Sequence, residues 1–183
     1  MKLPTAEFVE DHLIVWNVEE GRGLYAQGFY GKPVGVSKPK LGEFDVPLVL
    51  DLIEGVFLLE KGMIRVKDSR GRNLTESTLR RRARKVYEGF ERDYMVYRDL
   101  RLHGKTVLSG IKFGCEFAVY EHGPGIDHAP YLVSVKEPGE NITSTDIVRA
   151  GRLATTVRKR FIIAVPNRKV GQVRYLMFDW FRA

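Results

Sequence analysis

The order of apolar segments after residue 105 constrains the fold of this chain more than any other feature. Thr106-Val107-Leu108 reads as a short strand, and residues 113–120 and 131–136 as two more, separated by the loop 121–128. Thr143 or Ser144 then caps a helix whose apolar face is Ile147, Ala150, Gly151, Ala154 and Val157. Phe161-Ile162-Ile163-Ala164-Val165 predicts a buried strand, and residues 173–181 a final one. Strands interrupted by one crossover helix predict an α/β unit, a mixed sheet flanked by helices.

The first half predicts a different unit. His12-Leu13-Ile14-Val15-Trp16-Asn17-Val18 is a β-rich run ended by a turn at 19–23, with residues 24–30 as a second strand. Glycines and prolines then prevent regular structure over 31–40, where Lys32, Lys38 and Lys40 have no acidic neighbour. That segment is either a solvated surface loop or a mobile arm that touches phosphate. Residues 47–61 carry apolar side chains at helical spacing, closed by Gly62, and 63–66 alternate like a short strand. Asp68-Ser69-Arg70-Gly71 is a turn. A long helical stretch runs from Thr75 through Arg80-Arg81-Arg82-Ala83-Arg84-Lys85 to about Leu102, with Gly89 as its weak point. The basic cluster could pass for a nuclear-localisation signal, but solvent-facing helix charges explain it more simply. The chain is therefore expected to be α+β, with an α+β domain over 1–88 carrying the Lys-rich loop 31–40, and a C-terminal α/β domain over 89–183.

Composition excludes several classes. At 44% hydrophobic and 11% aromatic the chain can build a core, so wholesale disorder is out. No apolar run approaches the roughly 20 residues that span a bilayer, and Met1-Lys2-Leu3-Pro4 followed by Glu7, Glu10 and Asp11 does not read as a signal peptide. A lone Cys115 supports neither an internal disulfide nor a Cys-based zinc site. These features predict a soluble, cytoplasmic protein. The formal net charge is +7, and residues 144–183 account for all of it, holding nine Lys and Arg against Asp146 and Asp179. Such a concentration points to a polyanionic partner.

Helix 144–158 offers Arg149 and Arg152 away from its apolar stripe, and Lys159 follows it. Helix-end electrostatics would explain any one of these cations; their concentration beside a His-bearing loop is less easily dismissed. His12 falls in a strand and His103 at a helix end, whereas His122 and His128 share a Gly-Pro-Gly loop entered from Tyr120. Two histidines could bind a metal, but no neighbouring Cys or Glu completes a recognisable site, so neither metal nor cofactor is expected.

Lys112-Phe113-Gly114-Cys115-Glu116-Phe117-Ala118-Val119-Tyr120, then His128-Ala129-Pro130-Tyr131-Leu132-Val133-Ser134-Val135, resembles the catalytic domain of archaeal-type tRNA-splicing endonucleases. So do Val148-Arg149-Ala150-Gly151-Arg152-Leu153-Ala154, its continuation to Val157-Arg158-Lys159-Arg160, and the lead-in Tyr97-Arg98-Asp99-Leu100-Arg101. The resemblance covers residues 93–175 well and the N-terminal region in outline.

The resemblance implies metal-independent RNA cleavage by Tyr120, His128 and Lys159, which match the family's Tyr-His-Lys triad. Tyr120 would act as general base on a ribose 2′-hydroxyl, His128 as general acid on the leaving 5′-oxygen, and Lys159 as the cation facing the transition state. An ordinary phenol titrates near ~10, so Tyr120 needs cationic neighbours or concerted transfer. Arg152 and Arg174 match the arginines that clamp a base of the bulge–helix–bulge at the intron–exon junction of precursor tRNA. The loop Pro166-Asn167-Arg168-Lys169-Val170-Gly171-Gln172 lacks the acid by which identical subunits of the family dock. That implies a catalytic subunit of an α₂β₂ assembly whose second, structural subunit brings the acidic loop. The Lys32, Lys38 and Lys40 loop resembles a substrate-reaching insertion of such subunits. The alternatives are a metal-dependent nuclease on a related core, for which Ser134-Val135-Lys136 lacks the acid, and a non-catalytic RNA-binding subunit.

Overall fold

The computed structural model describes residues 3–178 apart from 38, 40, 42, 127, 157 and 158, with backbone only at 153–156. Lys38 and Lys40, the side chain of Ala154, Val157, and the end of the expected last strand at Trp180 and Phe181 lie outside the described residues. The chain divides into two compact units that meet at Phe90 and Glu91.

Among the described residues, the first unit is a five-stranded mixed sheet with three helices. Strands β1 (Thr5–Val9) and β2 (His12–Val15) form an antiparallel hairpin whose turn holds Glu10 at φ 54. Helix α1 (Val18–Ala26) follows, then the short β3 (Lys32–Pro33), β4 (Leu48–Leu50), α2 (Leu52–Glu60), β5 (Arg65–Lys67) and α3 (Glu76–Val86). The sheet order is β3-β4-β2-β1-β5, antiparallel except for β1 beside β5. Leu13, Leu24, Leu48, Leu50, Val56 and Leu79 are fully buried.

Several expectations for this unit are overturned. The β1 strand was not anticipated, and residues 18–26 are helical rather than a turn followed by a strand. The Asn17 side chain accepts a hydrogen bond from the Glu20 amide at 2.9 Å, and Glu19 and Glu20 stand at the positive end of the helix dipole. Capping outweighs the helix-weakening Gly21 and Gly23. The single helix expected over 47–61 is instead a strand and a helix, divided where Asp51 and Glu54 build a reciprocal capping box. Glu54 is nine-tenths buried yet satisfied, since its carboxylate also accepts the Gly31 amide at 3.0 Å. The helical stretch over 75–102, by contrast, divides at the weak point expected of it, into α3 and α4 (Phe90–Leu102), where Gly89 takes φ 74.

The second unit carries β6 (Thr106–Ser109), a 3₁₀ turn at Ile111–Phe113, β7 (Phe117–Tyr120), β8 (Tyr131–Val135), α5 (Ser144–Thr156), β9 (Arg160–Asn167) and β10 (Gln172–Phe178). Its sheet order is β10-β9-β8-β7-β6, antiparallel except for the β8–β9 pair that α5 bridges. Both sheets are thus mixed, the second as expected for the C-terminal unit, and the fold is α+β. Ala118, Leu132, Ala150, Phe161 and Ile163 form a core beneath α5, while Tyr97 of α4 packs its ring on Phe117 from the other face.

Here the expected strand over 113–120 begins only at Phe117. The 3₁₀ turn is closed by Gly114 at φ 71, and a Cβ there would run into the Arg149 guanidinium, which donates to the Gly114 carbonyl. On α5, Ala150 is buried as expected, but Ile147 is exposed. The last strand is more open than its apolar composition suggests, with Tyr175, Leu176 and Met177 each at least 40% exposed. Among the described residues no helix is long and apolar enough to cross a membrane.

Cys115 sits in the core, and burial, assisted by Glu116, pushes its thiol from 9.0 up to about 11. At pH 8 that leaves roughly 100-fold less thiolate than an ordinary cysteine carries. We expect the native protein to resist thiol-directed reagents by about this factor and to react fully in denaturant. A burst of labelling in native buffer would contradict the packing.

Candidate active site

The strand order gathers three sequence-predicted residues at one edge of the second sheet. Strand β7 ends at Tyr120, and β8, antiparallel to it, starts at Tyr131 with the register Val119 to Tyr131. Strand β9, parallel to β8, starts at Arg160 opposite Tyr131. The end of β7 and the starts of β8 and β9 therefore share one edge, where Tyr120, His128 and Lys159 stand. A parallel pair bridged by a helix presents both strand starts on the same side, and an antiparallel neighbour adds its own end there.

The three differ in environment. Tyr120 is partly buried against the core cluster, while His128 is exposed in the loop that leads into β8. Lys159 is half-buried and donates from Nζ to the carbonyl of Ala129, the residue after His128. The same Nζ lies 5.4 Å from the centroid of the Phe113 ring, a distance at which the ring quadrupole attracts the cation. Lys112 Nζ stands 5.0 Å from that ring as well. Burial, and then the charge of Lys112, pull the Lys159 ammonium below the usual lysine range. This cation is partly shielded from water and held by fixed groups. The loop itself is pinned at its start, where Lys105 bonds Glu121 and Thr106 Oγ1 donates to the His122 carbonyl at 3.3 Å. His122 is exposed in this loop.

Phe113, Lys112 and the Ala129 carbonyl were not singled out as functional from the sequence. The motif containing Lys112 and Phe113 is visible in the sequence, but the folding of the 3₁₀ turn back beside Lys159 is a tertiary event.

The two arginines are placed differently. Arg152 is exposed on α5. Arg174 is exposed on β10 opposite Val165, five residues along β9 from the edge, hence about 17 Å away at ~3.3 Å per residue. Alternation puts its side chain on the α5 face with Phe178, while Tyr175 points to the α4 face and donates to Asp99 at 2.6 Å. Arg174 is thus not brought beside the Tyr120 edge within one chain. The 166–172 segment expected to be a loop is a tight turn at residues 168–171 between the ends of β9 and β10, and Arg168 there bonds Glu137 at 2.6 Å. Lys32 is exposed on β3 of the first unit. Among the described residues no three His, Cys, Asp or Glu side chains converge as a metal site would require.

Comparison with known proteins agrees in both units. The family model described as tRNA intron endonuclease, catalytic C-terminal domain, matches residues 90–175, and the one described as tRNA intron endonuclease, N-terminal domain, matches residues 5–80. A tRNA-splicing endonuclease of Hyperthermus butylicus is 49% identical over 91% of this chain and 92% of its own length. Proteins of the same name from Saccharolobus islandicus (strain M.16.27) and Sulfurisphaera tokodaii are 44% and 42% identical, each over 96% of this chain and at least 97% of their own length. A chain matched in both units and along nearly its whole length belongs to the tRNA intron endonuclease family.

Proposed function

We propose that this chain cleaves precursor tRNA at bulge–helix–bulge junctions through Tyr120, His128 and Lys159. Tyr120 Oη takes the proton of the ribose 2′-hydroxyl, and the 2′-oxygen attacks the adjacent phosphorus. As the P–O5′ bond breaks, the His128 imidazolium gives its proton to the departing 5′-oxygen. The ammonium of Lys159 faces the charge that builds on the non-bridging oxygens. The products are a 2′,3′-cyclic phosphate and a 5′-hydroxyl. One feature carries this reading: an acid–base pair and a partly desolvated cation share a single sheet edge. Preorganisation of the Lys159 cation against the Phe113 ring and the Ala129 carbonyl is what electrostatic stabilisation requires.

Arg152 and Arg174 stack on and hold the bulged base, a task suited to planar guanidinium groups. Because Arg174 stands well along β10 from the cleaving edge, it serves either a distant part of the same RNA or the site of another chain. The protein acts as the catalytic half of an α₂β₂ assembly, its partner supplying the acidic docking loop missing at residues 166–172. Lys32, with Lys38 and Lys40, contacts substrate phosphate from the first unit.

The test is cleavage of a bulge–helix–bulge RNA in excess EDTA, by this chain alone and with a second subunit that carries an acidic loop. We expect cleavage in EDTA only with the partner, and 5′ ends that accept phosphate from a kinase without prior dephosphorylation. Dependence on Mg²⁺, or 5′-phosphate ends, would overturn the chemistry; full activity of the lone chain would overturn the assembly.

A further inference from the structure

The charge of the first unit is strongly polarised. Residues 61–85 hold ten Lys and Arg against Asp68 and Glu76. Both acids are already engaged: Asp68 is buried under Arg72, with its carboxylate also accepting the Arg70 and Arg72 amides, and Glu76 pairs with Arg80. The acid-rich segment before residue 61 hides this excess in any whole-chain count.

The fold brings six of these cations onto α3 and the turn before it. Strand β5 is the edge of its sheet, and the turn after it is closed by the Lys67–Asn73 bridge. Arg70 and Arg72 of that turn and Arg82 of α3 line one open hollow of about 500 Å³ beside the end of β1, together with the carboxylates of Glu7, Glu10 and Asp68, so the unbalanced charge lies on the exposed face of α3 rather than in the hollow. Arg82 reaches it across the Phe8 ring, 4.7 Å from the centroid. Further along α3, Arg81, Arg84 and Lys85 are exposed, on the side away from the buried Leu79 and Ala83. Their spacing of three and four residues makes them direct neighbours on the helix surface, and like charges so placed repel. The C-terminal dipole offsets this for Arg84 and Lys85, in the last turn, but not for Arg81, Arg82 or the turn arginines.

We propose that this surface of α3 and the turn at 68–72 binds the phosphodiester backbone of RNA, as a site separate from the cleaving edge of the second unit. Guanidinium groups match phosphate oxygens in pairs, and five of the six cations named are arginines. A polyanion also relieves the repulsion between them. The inference rests on the RNA substrate class and is independent of which side chains cleave. An acidic protein surface could satisfy the same charges; the family's tRNA substrate favours RNA.

The probe is a plain RNA duplex without bulges, which the protein holds without cutting, measured by fluorescence anisotropy from 50 to 300 mM KCl. The variant is Arg70→Gln/Arg81→Gln/Lys85→Gln, three exposed changes away from the core, with Arg70→Lys/Arg81→Lys/Lys85→Arg as its charge-preserving control. We expect the glutamine variant to bind about tenfold more weakly near 100 mM salt, with the slope of log affinity against log salt reduced by about 2 to 3. The control, which keeps every charge, should keep the parent's salt slope. An unchanged slope overturns the proposal. So does intact RNA binding with weakened association of a partner subunit, which would assign the surface to protein. Neither result bears on Tyr120, His128 and Lys159, since the duplex reports binding alone.

Discussion

Tyr120→Phe and His128→Ala will each slow cleavage of precursor tRNA by roughly 10²–10⁴, the range expected when one partner of an acid–base pair is lost. Folding should be almost undisturbed. The first change removes only an oxygen from a side chain that keeps its ring against the core cluster, and the second truncates an exposed loop residue. The two should also differ in a way that separates their roles. A substrate whose leaving group departs without protonation, such as a 5′-phosphorothiolate in which sulfur replaces the 5′-oxygen and leaves as a thiolate, no longer needs an acid. It should recover most of the lost rate with His128→Ala and little with Tyr120→Phe. Single-turnover rates with both substrates read this directly. Near-parent cleavage by either variant on the natural substrate would remove that residue from the chemistry, and rescue of both would assign them a shared role.

The site and the fold were legible to different depths, for physical reasons. The β8–α5–β9 crossover is written in a long apolar run at 161–165 and a capped amphipathic helix, so its existence could be read from local pattern. The α1 helix could not. Its segment contains Gly21 and Gly23, and the Asn17 cap looks the same in sequence as a turn residue. The break between β4 and α2 was masked because both faces of 48–58 are buried, and a run buried on both sides has no period to distinguish strand from helix. At the candidate site, the residue types of the edge were visible as motif matches. The ring that flanks Lys159 was not, because the Phe113 contact depends on the 3₁₀ turn and Gly114 folding a segment that reads as plain strand. Long-range cation–ring geometry leaves no periodic trace.

That geometry yields the second large effect. A lysine whose ammonium is pulled below its usual range by burial is a charge the fold would be more stable without. The sign is clear: the native state binds its proton less tightly than the unfolded chain, so this group opposes folding at neutral pH. The opposition fades as pH rises through the lowered value toward that of an ordinary lysine. Lys159→Met keeps the length and apolar stem, leaves a thioether beside the Phe113 ring, and removes the desolvation cost. We therefore expect cleavage to fall by roughly 10²–10³, as for loss of one preorganised donor to a developing oxyanion. The melting temperature should hold or rise. The two outcomes together identify a residue kept for chemistry at a cost in stability. A variant that loses both activity and several degrees of melting temperature would make Lys159 a structural prop for the Ala129 carbonyl. Undiminished cleavage would remove it from the site altogether. In the parent enzyme, the alkaline limb of the single-turnover rate should begin below the titration range of a free lysine, and Lys112→Gln should move it upward, because Lys112 is the second cause of the depression.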